Sequence, residues 1–210
     1  FMNYHGDWEI AFYQKNNGYL CPVWSDEGLL IAFQIRLDVP YQKRKYVWLS
    51  SAKMEKGCSP GSPVSFSGVL NSPVIYVTEG VLKAEAAYQR TGHPYLGNPG
   101  VSAYKELELA LNRLKAHGVK VVIEANDMDK CIRLHCDRAY SEACADCEGS
   151  SHECPKKREK RDHIRKGCLK LYEICEKLGL ICKRAVWDTD DEGYWEENYK
   201  GIDDWELREL

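Results

Sequence analysis

The hydrophobic pattern divides the chain in two. In the first 70 residues the apolar runs are short and separated by turn residues. "GYLCPVW" (18–24) and "LLIAFQIRL" (29–37) flank "SDEG", a hairpin signal, and "KYVWLSS" (45–51) predicts a third strand. "GCSPGSPVSFSG" (57–68), rich in Gly, Ser and Pro, predicts a loop and a seam between two subdomains. From residue 74 strands and helices alternate. "VIYVT" (74–78) is a fully apolar strand leading into "EGVLKAEAAYQRTG" (79–92), a run of helix formers closed by Gly92. "PYLG" (94–97) predicts a second strand. A helix follows over 102–118, with Tyr104, Leu107, Leu111 and Leu114 at helical spacing and Gly118 as its stop. "VKVVIEA" (119–125) is the third strand. "RDHIRKGCLKLYEICEKLG" (161–179) is a helix with Ile164, Cys168, Leu171, Ile174, Cys175 and Leu178 on one face, and "LICKRAVW" (180–187) is a fourth strand. Strand–helix alternation predicts an α/β fold, Rossmann-like, with a mostly parallel sheet and flanking helices. The expected division is a β-rich subdomain at 1–72 and an α/β domain at 73–210.

Candidate chemistry collects at the ends of the predicted strands. In open parallel sheets, ligands bind outside the carboxyl ends of the strands. Glu79 directly follows the first of these strands, and Asp127 and Asp129 lie just beyond the third. If those strands are neighbours, the carboxylates meet at one edge. Crowded carboxylates are tolerated when a divalent cation neutralises them, and Mg2+ takes oxygen ligands. Each acid also has a plainer reading. Glu79 and Gly80 suit a helix start, the Asp pair suits a capped loop, and Lys83 suits an i, i+4 pair with Glu79.

At these residues the sequence resembles the Toprim domain of bacterial primases, topoisomerases and related nucleases. The resemblance rests on "VTEG" (77–80), "DMD" (127–129) and the order of elements between them, and covers about residues 74–187. It is nearest to primase-like Toprim domains of plasmids, phages and other mobile elements, in which Glu-Gly-x-x-Lys-Ala ("EGVLKA" here) and "KGIDD" (200–204) recur. "QIRLD" and "KYVWLSS" are similar to the β-rich subdomain that precedes Toprim in primases. The resemblance implies metal-dependent phosphoryl or nucleotidyl transfer, or nucleic-acid processing, within a DNA replication protein. Glu79 would be general acid or base, or would arrange the metal. Asp127 and Asp129 would hold Mg2+ or Mn2+, with Asp203 and Asp204 as further carboxylates. Phosphoryl transfer needs such groups because it is mostly positioning and charge neutralisation. Bacterial primases carry Asp where this chain has Lys83, a cation able to contact phosphate or to replace one metal. A non-catalytic nucleic-acid-binding module is the alternative, and a phosphatase-like or regulatory α/β domain a third reading.

Composition adjusts this picture little. The chain has 210 residues, is 44% hydrophobic and carries a formal net charge of −3, so total charge does not argue for a nucleic-acid partner. Its distribution is more informative. Residues 34–56 carry Arg36, Lys43, Arg44, Lys45, Lys53 and Lys56 against Asp38 and Glu55, and 155–170 hold eight Lys or Arg. Residues 188–210 hold ten Asp or Glu. These blocks are solvated faces or the two sides of a phosphate-and-metal site. Lys83, Arg36 and Lys45 are the candidate phosphate contacts, with Tyr41, Tyr46 and Trp48 placed to stack on bases. DNA or RNA, nucleotides and other replication proteins are the expected partners. No apolar run is long enough to span a membrane and the N-terminus lacks a signal-peptide build, so a cytoplasmic protein is expected.

Ten cysteines are many for such a chain. Residues 131–158 form a Cys-rich insertion where the fold needs only a short link. Cys144-x2-Cys147, with Cys136 before and Cys154 after, suits a structural tetrahedral Zn2+, with Cys131, His135 and His152 as possible replacements. Free thiols are the alternative. Cys168 and Cys175 read as core, and Cys21, Cys58 and Cys182 have no partner visible in sequence.

Overall fold

The structure, a computed structural model, describes residues 4–7, 17–42, 44–53, 55–100, 103–136 and 153–205. Lys43, Cys144, Cys147 and His152 lie outside them. The chain forms two compact units, Phe1–Pro22 with Ala32–Pro60, and Val23–Ile31 with Gly61–Leu210.

A three-stranded sheet runs β1 (Gly18–Trp24), β2 (Leu30–Tyr41) and β3 (Arg44–Trp48), in that order, and all of it but residues 23–31 belongs to the smaller unit. Ser25 N–H donates to the Leu29 carbonyl at 2.8 Å, closing the predicted hairpin. β2 pairs antiparallel with β3, Gln34 opposite Trp48 and Arg36 opposite Tyr46, and the register slips before Tyr41 meets Arg44. Opposed residues share a sheet face, so the Arg36 guanidinium lies over the Tyr46 ring, 5.2 Å from its centroid.

The larger unit holds a five-stranded sheet in the order β4-β6-β5-β7-β8. The strands are β4 (Ser65–Ser67), β5 (Val74–Glu79), β6 (Tyr95–Asn98), β7 (Val121–Glu124) and β8 (Ile181–Arg184). β5 is parallel to β6 and β7, and β7 to β8, while β4 closes the far edge antiparallel. Helices α1 (Val81–Thr91), α2 (Tyr104–Ala116) and α3 (Pro155–Leu178) are the crossovers, and α4 (Ile202–Trp205) is a single turn. The mixed α/β architecture with a mostly parallel sheet is the one that the strand–helix alternation predicts.

Two departures have local causes. The stretch expected to be only loop contains β4; three residues are too few to show a strand period, and its partner Tyr95–Gly97 lies 28 or more residues away. α3 begins at Pro155 rather than Arg161, so the end of the Cys-rich stretch is helical. Proline fits the first helical turn because the N–H it lacks has no intrahelical partner there.

One face of the sheet packs on α2 and α3. Ile75, Val77 and Val122 meet Leu107, Leu111, Leu114, Leu171, Ile174 and Cys175, so the predicted apolar stripes do bury. Truncating such a side chain, Leu111→Ala for example, costs about 2–5 kcal/mol. Cys182 packs against this cluster, a contact not visible in the sequence. A second cluster joins Ala84, Ala87 and Tyr95 to Ala125, Met128, Trp187, Trp195 and Ile202, which brings residues 186–205 onto the body of the sheet.

Candidate active site at the carboxyl edge of the sheet

"EGVLKA" has a backbone explanation. β5 ends at Glu79, and Gly80 turns the chain into α1 at φ 96°, ψ 136°, a conformation that L side chains rarely adopt. α1 then lies close on β6. A Cβ on Gly97 would come within 2.9 Å of both the Ala84 Cβ and the Gly80 carbonyl oxygen, so Ala84 and Gly97 are small because they touch. Glu79 pairs in register with Asn98 on one side, and on the other β5 continues beside β7, whose carboxyl end leads into residues 125–131. Glu79, Asp127 and Asp129 therefore stand at the same edge.

The three acids of "EANDMD" part company there. Glu124 turns inward. Its Oε1 accepts the Asn126 N–H at 2.8 Å and the Lys130 ammonium at 2.9 Å, and Arg184 Nε stands 3.4 Å from Oε2. Both Glu124 and Lys130 are 0% exposed, with Lys130 also over the Trp187 ring. A 3-10 turn at Met128–Cys131, not anticipated in the sequence, carries Asp129 and Lys130. Asp127 and Asp129 are buried as carboxylates, but their partners reach solvent. Lys83 Nζ bonds Asp127 Oδ1, which places Lys83 at the acidic edge. Lys200 Nζ lies 2.6 Å from Asp129 Oδ2 and 3.4 Å from Asp127 Oδ2. The lysine side chains are 28% and 44% exposed, the aspartates 5% and 6%.

Lys200 arrives on a strap formed by residues 186–201. Met128 N–H donates to the Lys200 carbonyl at 2.9 Å, and Trp195 N–H to the Cys131 carbonyl at 3.0 Å. Lys157, buried on α3, pairs with Glu197 at 3.0 Å. Arg133 pairs with Asp190 at 2.6 Å and Glu192 at 3.1 Å and lies over the Tyr194 ring. Asp188 accepts the Asn198 and Tyr199 N–H groups, both at 3.0 Å. Beyond the strap, Asp204 Oδ2 accepts the Gly201 N–H at 3.2 Å, and Asp203 Oδ1 is buried with no hydrogen-bond partner.

Charge follows this geometry. Burial pushes the Glu79 carboxyl above the ordinary range and the Asp127 charge pushes it further, while Lys83, Lys200 and His163 pull it back. Asp203 is also raised, by burial first, with Asp204 and Asp127 adding to it against Lys83. Burial alone would lower the Lys200 ammonium, but the hydrogen bond to Asp129 and the charge of Asp127 outweigh it and raise it. Lys200 and His163 were not among the sequence candidates. In "KGIDD" the acids carry the sequence signal, and His163 lies on a helix whose signal is its apolar face.

The donors suit a hard divalent cation by type: carboxylate oxygens, one of them the orphaned Asp203 Oδ1. Among the described residues no three Asp, Glu, His or Cys side chains already stand together as a ligand set, and ammoniums occupy the Asp127 and Asp129 oxygens. The remaining candidates lie elsewhere. Arg36 and Lys45 belong to the smaller unit, on β2 and β3. Cys136 and Cys154, at the two ends of the insertion, are both buried beside a bridge that pairs His135 with Glu153 and joins Cys154 N–H to the Leu134 carbonyl at 2.8 Å. Cys144 and Cys147 are outside the described residues.

No family model matches the chain, and no curated protein matches it. Among solved structures it is similar to the Aquifex aeolicus primase, crystallised as its zinc-binding and RNA polymerase domains, at a TM-score of 0.52 and 12% identity. The match covers 90% of this chain and 36% of that one, so this chain spans about a third of its neighbour. The fold is primase-like. No helix among the described residues is long and apolar enough to cross a membrane.

Proposed function

We propose that the chain is a Toprim-type, primase-like domain of a DNA replication protein, of the kind carried by mobile elements, and that it performs metal-dependent nucleotidyl or phosphoryl transfer on nucleic acid. The observation that carries this reading is the meeting of Glu79, Asp127 and Asp129 at the carboxyl edge of a parallel sheet in a primase-like fold. Asp127 and Asp129 hold one Mg2+ or Mn2+, with Asp203 and Asp204 as further carboxylates. A divalent cation held by these carboxylates would supply charge neutralisation and positioning for the reacting phosphate. Glu79, its carboxyl raised by burial, is suited to hold a proton and deliver it at the same edge. Lys83 contacts substrate phosphate from α1. Arg36 and Lys45 contact the nucleic-acid backbone, beside Tyr46, on which a base can stack. Nucleotides are the small substrates, and the cytoplasm is the working compartment.

The insertion binds one structural Zn2+ through Cys136, Cys144, Cys147 and Cys154. The pairing of His135 with Glu153 supports this, because it ties together the two chain segments that carry Cys136 and Cys154.

Mn2+ titration of the purified chain tests the central claim. One equivalent is expected to bind, with loss of binding in Asp127→Asn and Asp129→Asn. A parent chain that binds no Mn2+ refutes it. Affinity for a single-stranded DNA oligomer is expected to fall steeply with salt. Elemental analysis finding less than about a tenth of an equivalent of zinc refutes the Zn2+ site. The lysines on Asp127 and Asp129 favour a second reading, a non-catalytic nucleic-acid-binding module. Template-dependent incorporation or cleavage by the parent, abolished in Glu79→Gln, separates the two.

A further inference from the structure

The lysines at the edge differ from the lysine behind it. Lys130 is sealed in with Glu124 and has nowhere to go. Lys200 is nearly half exposed, on a long flexible stem, and its ammonium spans both Asp127 and Asp129. Its backbone carbonyl, not its side chain, fixes the strap through the Met128 N–H. The ammonium can therefore leave without the strap leaving. Two ammoniums, those of Lys83 and Lys200, thus stand on the two aspartates that a divalent cation would need.

We infer that Lys200 is a phosphate-binding residue of this site, held on Asp127 and Asp129 until they take a divalent cation and then turned toward a phosphate oxygen of the substrate. The inference rests on the metal-dependent reading above and extends it to a residue on the strap. Lys200 exchanges one anionic partner for another. With the cation bound, Asp127 and Asp129 no longer need its charge, and the freed ammonium lies beside the newly placed cation, where a phosphate needs a second positive group. The ligand class is a phosphate ester next to a divalent cation, which a nucleoside triphosphate or a nucleic-acid 5′-phosphate both provide. The strap thus couples cation and anion binding, because occupation by one removes the competitor of the other.

The test uses opposite signs. Mn2+ binding is measured calorimetrically on the whole chain and on Lys200→Met. Binding of dATP and of a 5′-phosphorylated thymidine oligomer is then measured at saturating Mn2+. Lys200→Met is expected to bind Mn2+ about threefold to tenfold more tightly, since a competing cation is gone, and phosphate ligand about fivefold to tenfold more weakly. Lys200→Arg is expected to keep both within about twofold, because guanidinium retains the charge. A loss confined to dATP assigns Lys200 to the nucleotide; a loss confined to the oligomer assigns it to the nucleic-acid strand. If Mn2+ and phosphate affinities fall together in Lys200→Met, Lys200 only pins the strap and the inference is overturned. If neither changes while the parent binds Mn2+ normally, the inference alone fails. A parent that binds no Mn2+ removes both the inference and the reading beneath it.

Discussion

Glu124 and Asp127 lie three residues apart, yet the fold treats them in opposite ways. Glu124 is enclosed with Lys130 and takes a backbone N–H, and its one solvent-reaching neighbour, Arg184, stands farther off at 3.4 Å. Asp127 is just as buried as a carboxylate, but its partners Lys83 and Lys200 are solvent-accessible side chains from α1 and the strap. The first pair braces both ends of the turn that carries Asp127 and Asp129. The second is an exchangeable arrangement at the mouth of a site. A carboxylate's own burial does not separate architecture from chemistry here; the burial of the cation hydrogen-bonded to it does.

The largest effect expected from this contrast is on stability. Glu124→Ala leaves Lys130 charged and enclosed, and should cost about 3–5 kcal/mol in thermal or urea unfolding. Glu124→Leu combined with Lys130→Met should recover most of that loss, because a buried pair replaced by apolar groups is often neutral. If Glu124→Ala melts like the parent, the brace is not one.

Next comes a binding effect. Lys83→Asp replaces the cation on Asp127 with the residue that bacterial primases carry, and should raise Mn2+ affinity by roughly tenfold while weakening phosphate ligands. Equal metal affinity in both proteins would show that Lys83 does not compete for the site. Asp127→Asn should change unfolding free energy by less than about 1 kcal/mol, since its ion pairs are partly exposed and its loss relieves Glu79. A penalty as large as that of Glu124→Ala would erase the distinction between the two acids.

The smallest effect concerns pH. Asp188 and Asp190 both lie below the usual carboxylate range. At Asp188, burial raises the carboxyl, but hydrogen bonds from Asn198 and Tyr199 outweigh it; at Asp190 the Arg133 guanidinium is the main cause. A depressed carboxyl stabilises the fold above its ordinary value, and that contribution disappears as pH falls through the folded value. The amides of Glu192, Tyr194, Asn198 and Tyr199 should therefore lose protection from hydrogen exchange on acidification before those of β5 and β7. Glu79 and Asp203 have the opposite sign. Their raised carboxyls disfavour the folded state as pH climbs through them, so the edge relaxes in acid while the strap loosens. Strap amides that stay protected as long as those of β5 would show that Asp188 and Asp190 do not hold it.

Much of the fold could be read from the sequence because the large unit follows short-range rules. Apolar runs at 74–78 and 119–125 are buried parallel strands, and helix stripes such as Leu107, Leu111 and Leu114 reach the core. The placement of Glu79, Asp127 and Asp129 follows from strand ends together with the adjacency of β5 and β7. What stayed hidden depends on distance along the chain. Nothing near Asp129 points to Lys200, and nothing in β4 announces a strand until Leu96 is opposite Phe66. Nothing local separates Glu124 from Asp127 and Asp129, because alternation along a strand says which face a side chain takes, not which cation waits there. Pro155 was a usable helix-start signal, overshadowed by the cysteines before it.

The position of Lys200 also sets an order of events during synthesis. It follows Asp129 by 71 residues, so at roughly 5–20 residues per second the ribosome adds it about 4–14 s later. Throughout that interval the nascent chain carries both aspartates and Lys83 without their second ammonium, and the Met128 N–H lacks its acceptor. The edge is thus completed only after β8 has been made, and a chain interrupted before residue 200 would present Asp129 without the ammonium that holds it.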